Sequence, residues 1–375
     1  MQAEIRSIGW KKGASSMKDF SNLNLYSEYP DFQVAQKQRQ EYLDGINRLI
    51  EHLRSQSEEK REAYMNPESY CENPEKYRRD YYEMLGYPLT DYHKGMPLPN
   101  VRKWFVGTDD RGDIYRIQIE VLEELWFYGM YFVPKGKREE KSGLVIMQHG
   151  GGGSPELCSD IVGENNYYHM TTRILDRGVR VFCPQILVWN RVIVAEPPQR
   201  VLPEYDRHRL DNALKQMGSS IQAVETYGMM RCLDYFCADT LVDEDKIGMT
   251  GLSYGGFYTM MVAAADTRIV SAYSSCAMND RFKYDWLDWT WKNSGNTFTD
   301  ERICALCAPR RYYGEIGRND AVFTWDTAPD FNRLVKPFYR KFGCEDEFCF
   351  HVHEDEHRFD LDDHAGFDFF MEKIV

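Results

Sequence analysis

Residues 251–255 read Gly-Leu-Ser-Tyr-Gly, and they join a strand-like run (246–250) to a helix-like run (257–265). A serine on so sharp a strand-to-helix turn sits in strained backbone, and its hydroxyl points outward. Gly251 and Gly255 carry no Cβ atoms that would collide at such a turn. Because the pentapeptide has this strand–turn–helix context, it predicts a nucleophilic serine at position 253 rather than a solvated loop serine.

A glycine-rich stretch follows another strand-like run. Residues 144–149 read Leu-Val-Ile-Met-Gln-His and lead into four consecutive glycines, 150–153. Acyl transfer needs two N–H donors aimed at the oxygen that becomes negative, one after the nucleophile and one from a loop elsewhere in the sheet. The amides of Tyr254 and of Gly151 or Gly152 are the candidates for this oxyanion hole. A phosphate-binding loop is the alternative, but no Gly-Lys-Ser/Thr follows these glycines.

The residues after Ser253 supply an acid and then a base in the chain order that this chemistry uses. Asp320 follows a strand-like segment (311–316), and His357 follows another (347–352). At these positions we expect the catalytic carboxylate and the catalytic imidazole. The rivals are Asp280 and Asp326 for the acid, and His353 and His364 for the base.

Four further segments carry a family resemblance. They read Met-Gln-His-Gly-Gly-Gly (147–152), Val-Asp-Glu-Asp-Lys-Ile-Gly (242–248), Ala-Pro-Arg before Gly-Arg-Asn-Asp (308–320) and Glu-His-Arg-Phe (356–359). From about residue 100 onward the chain resembles the serine esterases of the α/β-hydrolase superfamily, in particular dienelactone-hydrolase-like proteins and acetyl xylan esterases. The resemblance implies Ser253 as nucleophile, His357 as base and Asp320 as its orienting acid, with no cofactor.

Two departures from that family pattern stand out. Asp355-Glu356 precede the histidine where the family usually has glycines, and Arg310-Arg311 replaces a common Arg-Pro. Because the first departure alters the histidine loop, a non-catalytic binding protein of the same fold stays open. A serine peptidase and a carbon–carbon hydrolase also stay open, since the triad itself does not choose the leaving group.

Residues 353–357 also satisfy His-Glu-x-x-His, the pattern of a zinc peptidase. That chemistry needs both histidines on one face of a helix. Here the motif follows an alternating, β-rich run (348–352), so we expect a loop and no metal site. Cys304-Ala305-Leu306-Cys307 lacks a second cysteine pair at zinc spacing, and core packing explains it better.

Charge and composition limit the partners. The 375 residues carry a net charge of −13, which disfavours nucleic acid, and a neutral small-molecule or glycan ester is the simpler substrate. The ten cysteines are scattered, the amino terminus is polar, and nowhere do 18 apolar residues run together. These features predict a cytoplasmic protein that does not enter membranes.

The chain divides by character near residue 100. Residues 1–100 are predicted to form a helical extension. Three roles stay open for it: a lid over the mouth of the active site, an appendage docked against the edge of the sheet, and a contact within a homo-oligomer. Residues 101–375 alternate strands and helices, which predicts a mostly parallel sheet with helices on both faces. Two long connections, 185–213 and 279–300, are expected to shape the substrate pocket. The candidate pocket residues are His149, Trp189, Arg191, Trp286 and Trp289.

Overall fold

A computed structural model describes residues 28–162, 166–188, 191–192, 199–200, 204–284, 286–360 and 364–375. The chain forms two compact units, Met1–Gln56 and Ser57–Val375. In the first unit a single long helix, α1 (Glu28–Ser55), contains the apolar residues whose spacing predicts a helix between positions 42 and 53. None of the described helices is both long enough and apolar enough to cross a membrane.

The second unit is built on a nine-stranded sheet. Its strands are β1 (Val101–Thr108), β2 (Gly112–Leu122), β3 (Leu125–Pro134), β4 (Ser142–Gln148), β5 (Arg180–Pro184), β8 (Val242–Leu252), β9 (Ile269–Ser275), β10 (Arg311–Gly317) and β11 (Phe348–His353). A separate hairpin consists of β6 (Arg191–Val192) and β7 (Gln199–Arg200). The order across the large sheet is β1-β2-β3-β5-β4-β8-β9-β10-β11.

The first three strands of that order form an antiparallel meander, and β3 also pairs antiparallel with β5. From β5 to β11 every neighbouring pair is parallel. The predicted mostly parallel sheet is therefore confirmed. Because parallel strands all end at one edge, the loops after β4, β8, β10 and β11 converge there, as in other open α/β sheets.

Some helices of the second unit pack on this sheet, and the others pack on those helices or on short turns. They are α2 (Ser57–Tyr64), α3 (Pro67–Glu72), α4 (Pro74–Leu85), α5 (Pro155–Cys158), α6 (Met170–Asp176), α7 (Arg207–Gln216), α8 (Ile221–Cys237), α9 (Tyr254–Ala265), α10 (Asp300–Ala305), α11 (Phe331–Lys341) and α12 (His364–Met371). Asn73 caps α4 through its side chain, and Gly86, with φ of 94°, ends it, as the sequence predicts.

One helix differs from its prediction. Residues 214–237 read as one continuous helix, but the structure splits them between α7 and α8. Gly218 takes a positive φ of 77°, which ends the first helix, and the Ser220 side chain accepts the Ala223 N–H and starts the second. The apolar periodicity runs across the break, so sequence periodicity alone does not reveal it.

Candidate active site

The turn between β8 and α9 has the backbone geometry that the pentapeptide predicts. Ser253 lies at φ 61° and ψ −122°, a conformation that costs a non-glycine residue about 1–3 kcal/mol. A Cβ on Gly255 would lie 2.1 Å from the Gln148 oxygen, and one on Gly251 would lie 2.5 Å from Gly255. Only glycine fits at either position, so the two glycines let the strained serine exist.

The glycine loop after β4 lies against this serine. A Cβ built on Gly150 would be 3.2 Å from the Ser253 Cβ. The Gly150 N–H donates to the Tyr167 hydroxyl at 2.7 Å, so that amide is already used. Among the described residues, the amides of Gly151 and Gly152 have no protein acceptor. They are the amides of this loop that are still available as donors. The first turn of α9, which follows Ser253, also begins with backbone N–H groups that have no acceptor within the helix.

The acid loop after β10 holds a carboxylate with all its oxygens engaged. Asp320 Oδ1 accepts the N–H groups of Val322 (2.7 Å) and Phe323 (2.9 Å), and Oδ2 lies 2.8 Å from His357 Nδ1. The Asp320 side chain is fully buried, whereas that of His357 is 20% exposed. This arrangement places the Nδ1 proton toward the carboxylate and leaves the lone pair on Nε2 of the imidazole.

The acid loop and the histidine loop also bind each other. The Asn319 N–H donates to the Asp355 carbonyl at 3.0 Å, and its side chain donates to the Glu354 carbonyl at 2.6 Å. A Cβ on Gly317 would meet the carbonyl oxygens of Glu356 and Asp355 at 2.3 and 2.4 Å. The Asp355 side chain forms an ion pair with Arg358. Asp355, one of the two acidic residues that depart from the family pattern, is therefore accommodated by contacts with these neighbours, and the other, Glu356, packs its carbonyl against Gly317.

The nucleophile candidate and the acid–base pair both border the end of β9. The Ser253 N–H donates to the Ser275 carbonyl at 2.9 Å, and the next residue, Cys276, donates its thiol to the Arg358 carbonyl. Ligand atoms of Cys276, Asp320 and His357 all lie within 4.8 Å of one another. Among the described residues no hydrogen bond joins the Ser253 hydroxyl to His357 Nε2, and catalytic hydrogen bonds of this kind often form only in the reacting complex.

The rival residues that the structure describes do not form the acid–base pair. His353 is buried, its Nδ1 accepts the Asp355 N–H, and burial lowers its pKa. The Asp280 carboxylate accepts the Phe282 N–H, and Asp326 lies exposed in a short 3₁₀ turn. The side chain of His364 lies outside the described residues. Since His353 ends β11 and His357 lies in the loop beyond it, this motif has no helical face on which a zinc peptidase could bind its metal.

An aromatic wall borders the site. Trp286 packs between Tyr254 (ring centroids 5.4 Å apart) and Phe323 (5.3 Å), and Phe323 in turn lies 5.8 Å from the His357 ring. Trp286 is only partly buried, so it can contact a substrate. Trp289 is almost completely buried.

A buried ionic cluster supports the wall from below. The Arg207 guanidinium donates to Asp288 at 2.6 Å, to Glu225 at 3.0 Å and to the Tyr258 hydroxyl at 2.6 Å. Asp288 also accepts the Tyr254 hydroxyl at 3.2 Å. Breaking any of these contacts would leave a buried charge without its partner, which is costly. Through the hydrogen bond from Tyr254 to Asp288, the cluster therefore holds the Tyr254 side chain at the start of α9 in one orientation.

The other proposed pocket residues are placed as follows. His149 is buried, its Nε2 accepts the Ile186 N–H at 3.1 Å, and its Nδ1 donates to the Gly150 carbonyl at 2.9 Å. Burial lowers the pKa of His149 to about 4, so the ring is neutral and has no nitrogen left for a substrate. Trp189 and the side chain of Arg191 lie outside the described residues.

Sequence reasoning missed two residues. Tyr167 binds the glycine loop, and Phe323 packs near the imidazole ring. Tyr167 lies 17 positions after Gly150, and no motif links the two residues. Phe323 comes three residues after Asp320, and only its apolar character in a polar loop could have indicated it.

Comparisons with known proteins agree with this fold. Residues 215–319 match the profile of the prolyl oligopeptidase family of S9 peptidases. No curated protein sequence matches the chain. Among solved structures, a putative acetyl xylan esterase from Bacteroides fragilis superposes with a TM-score of 0.58 at 15% identity, covering 77% of this chain and 76% of its own.

Two further structures align over more of the chain. A glucuronoyl esterase from Solibacter usitatus has a TM-score of 0.54 at 12% identity and covers 83% of this chain and 94% of its own. Acetyl xylan esterase 1 from a Thermoanaerobacterium species has a TM-score of 0.53 at 14% identity, with 81% and 94% covered. The sheet order, the strained serine and these similarities define the chain as a protein of the α/β-hydrolase fold, the fold that the sequence predicts.

Proposed function

We propose that this protein hydrolyses carboxylic esters through an acyl-enzyme formed on Ser253. The observation that carries the proposal is the partly buried Asp320–His357 hydrogen bond, at the same edge of the sheet as a serine whose backbone is strained at the end of β8. An imidazole whose Nδ1 proton is held by a carboxylate has a basic Nε2, which is the group that serine catalysis requires. The three esterases that share the fold support the same chemistry.

The reaction follows from the positions of these groups. His357 Nε2 takes the hydroxyl proton as Ser253 Oγ attacks the ester carbonyl carbon, and the oxyanion accepts hydrogen bonds from the amides of Tyr254 and of Gly151 or Gly152. Collapse of this intermediate breaks the bond to the alcohol, which leaves with the proton from Nε2. Water then loses a proton to the same nitrogen and attacks the acyl carbon. The bond from that carbon to Ser253 Oγ breaks, Nε2 returns its proton to Oγ, and the acid leaves.

We propose a neutral, carbohydrate-linked acyl ester as the substrate class. The partly buried Trp286 offers an apolar surface beside the nucleophile, and flat apolar faces suit sugar rings as well as aryl groups. The net charge of −13 disfavours polyanions. Acetyl xylan esterases and glucuronoyl esterases share the fold, so acetylated sugars and uronic acid esters are the substrates to test first.

The cytoplasmic location, the homo-oligomer and the domain boundary at residue 100 stay predictions.

A serine peptidase is the second candidate, because residues 215–319 match the prolyl oligopeptidase profile. The matched segment contains the elbow but ends one residue before Asp320. A panel of p-nitrophenyl acetate, acetylated xylan, methyl glucuronate and a Gly-Pro aryl amide separates the two candidates. We expect turnover of the esters and little of the amide, and the reverse preference would favour the peptidase.

Ser253→Ala tests the nucleophile directly. Loss of the serine from such a unit lowers kcat by about 10⁴ to 10⁶. Ser55→Ala, which changes an exposed hydroxyl in α1, is the matched control and should retain full activity. A phosphonate probe should label wild type and Ser55→Ala but not Ser253→Ala. Esterase activity that survives in Ser253→Ala, or that is lost with chelator, would reject the mechanism.

A further inference from the structure

A glutamate side chain lies buried beneath the loop that carries the proposed catalytic histidine. Glu315, in β10, is fully buried, and burial raises the pKa of its carboxyl group to about 8. Its Oε2 accepts the Tyr273 hydroxyl at 2.8 Å, and its Oε1 accepts the Asp360 N–H at 3.2 Å. An apolar side chain of the same size would avoid the cost of burying a carboxyl group. The groups that Glu315 binds therefore explain its place in the core better than packing does.

The two residues that directly follow the histidine are anchored to β9 and its end. The Ser275 hydroxyl and the Cys276 thiol both donate to the Arg358 carbonyl at 3.4 Å. The Phe359 side chain is fully buried, and its ring packs edge-on against that of Tyr273 with the centroids 5.4 Å apart. The hydrogen bond from the next amide to the buried glutamate completes a run of three anchored residues.

One strand contacts the chain on both sides of the histidine. The Glu356 carbonyl, directly before it, lies against Gly317, the last residue of β10, and Glu315 binds the chain beyond it. The same strand leads into Asp320, whose Oδ2 lies 2.8 Å from His357 Nδ1. Because β10 pairs with strands on both of its edges, it is a rigid support. Losing the anchor at Glu315 would let the imidazole move relative to the carboxylate that orients it.

We propose that Glu315 is a positioning residue for the proposed ester hydrolysis. By binding the Asp360 amide, it keeps the histidine loop in the position that brings His357 Nδ1 within hydrogen-bond distance of Asp320. The glutamate acts through the loop backbone and not on the substrate. This proposal rests on the proposed function, since both concern the same histidine, but the pairing of His357 with Asp320 can be observed without any substrate.

Glu315→Leu and Glu315→Gln separate the hydrogen bond from the bulk of the side chain. Leucine accepts no hydrogen bond, and we expect kcat for p-nitrophenyl acetate to fall about 10²-fold with KM within about threefold, because displacing a catalytic group by about 1 Å has an effect of that size. Glutamine still offers an oxygen to the Asp360 N–H, so kcat should stay within about threefold of wild type. An equal loss of kcat in both variants, or no loss in either, would overturn the proposal.

Glu301→Leu is the matched control for lost stability. It makes the same chemical change in α10, where the buried Glu301 binds Arg61 of α2 at 3.2 Å. Urea unfolding should show that both leucine variants are destabilised, whereas kcat of Glu301→Leu should stay within about twofold of wild type. A loss of kcat in this control as large as that in Glu315→Leu would mean that general destabilisation accounts for the effect, and it would reject the positioning role.

The low-field ¹H NMR signal of the His357 Nδ1 proton reports the pairing without substrate, and His357→Ala identifies that signal. We expect the signal in wild type, Glu315→Gln and Glu301→Leu. We expect its loss in Glu315→Leu, because the proton exchanges with water once the pair opens. An unchanged signal in Glu315→Leu would contradict the proposal, whereas a wild-type protein that turns over no ester would reject the proposed function and leave this readout intact.

Glu315→Asp takes the place of Glu315→Leu if the leucine variant does not fold. Aspartate keeps the carboxyl group but is one methylene shorter, so it cannot reach the Asp360 amide from the same backbone position. We expect a lower kcat and a weaker Nδ1 signal than in Glu315→Gln. Wild-type kcat together with a wild-type signal in Glu315→Asp would refute the positioning role.

Discussion

Asp320→Asn tests the proposed pairing of carboxylate and imidazole most directly. Asp320 Oδ1 accepts two backbone N–H groups, and Oδ2 faces His357 Nδ1 at 2.8 Å. An asparagine must keep its oxygen on the two amides, because its NH₂ group cannot accept from them. The NH₂ group therefore faces Nδ1, which must then be the unprotonated nitrogen. The ring proton moves to Nε2, where it prevents the imidazole from accepting the Ser253 proton.

The size of the effect follows from this tautomer change. In a serine–histidine–aspartate unit the wrong tautomer lowers kcat about 10⁴-fold, or roughly 5 kcal/mol of transition-state stabilisation. Stability should hardly change, because both backbone hydrogen bonds to residue 320 persist and only one partner of His357 is altered. We expect the free energy of unfolding to fall by less than about 1.5 kcal/mol.

The assay is kcat and KM for p-nitrophenyl acetate, measured beside urea unfolding. Asp280→Asn and Asp326→Asn are matched controls, because each makes the same chemical change at a rival carboxylate. Both should retain kcat within about twofold of wild type, since neither carboxylate binds the imidazole. A kcat of Asp320→Asn within tenfold of wild type, or a collapse in either control, would refute the reasoning.

Three other perturbations have distinct outcomes. Gly255→Ala places a Cβ 2.1 Å from the Gln148 oxygen and should lower the free energy of unfolding by about 1–3 kcal/mol. Gly107→Ala, whose added Cβ would have no atom beyond its chain neighbours within 4 Å and whose φ is not positive, should give a much smaller change in the same urea titration. Tyr167→Phe removes the acceptor of the Gly150 N–H, so kcat should fall more than KM rises if this loop forms the oxyanion hole, and a change confined to KM would contradict that role. Burial raises the pKa of Glu315 to about 8, so its native state keeps a proton that the unfolded chain releases above roughly pH 4.3. The contribution of Glu315 to stability is therefore complete below that pH and is lost as the pH rises toward 8. Between about pH 5 and 8, denaturation at several pH values should show a smaller fall in Glu315→Gln than in wild type.

The buried ionic cluster illustrates what a sequence cannot disclose. Arg207, Glu225 and Asp288 come from three separate segments, and each reads as an ordinary solvated charge along the chain. Burial and mutual pairing make them structural, and both depend on how α7 and α8 pack against the segment after β9. The same argument applies to His149, whose ring nitrogens are both taken by backbone groups.

The sequence by itself determined the elements that depend on local chemistry. The glycines at 251 and 255 permit the strained serine, strand–helix alternation predicts the parallel sheet, and the capping residues 73 and 86 bound their helix. These features rest on backbone sterics and on periodicity within a few residues, which the chain order displays directly.

Only the tertiary structure decided which distant groups meet. It paired His357 with Asp320 while the rivals His353 and Asp280 bind other groups, and it buried Trp289 while leaving Trp286 partly exposed. The physical reason is that parallel strands bring their carboxyl ends to one edge across long sequence separations. Hydrogen bonds and burial at that edge depend on distances of a few tenths of an ångström, which a linear pattern does not contain.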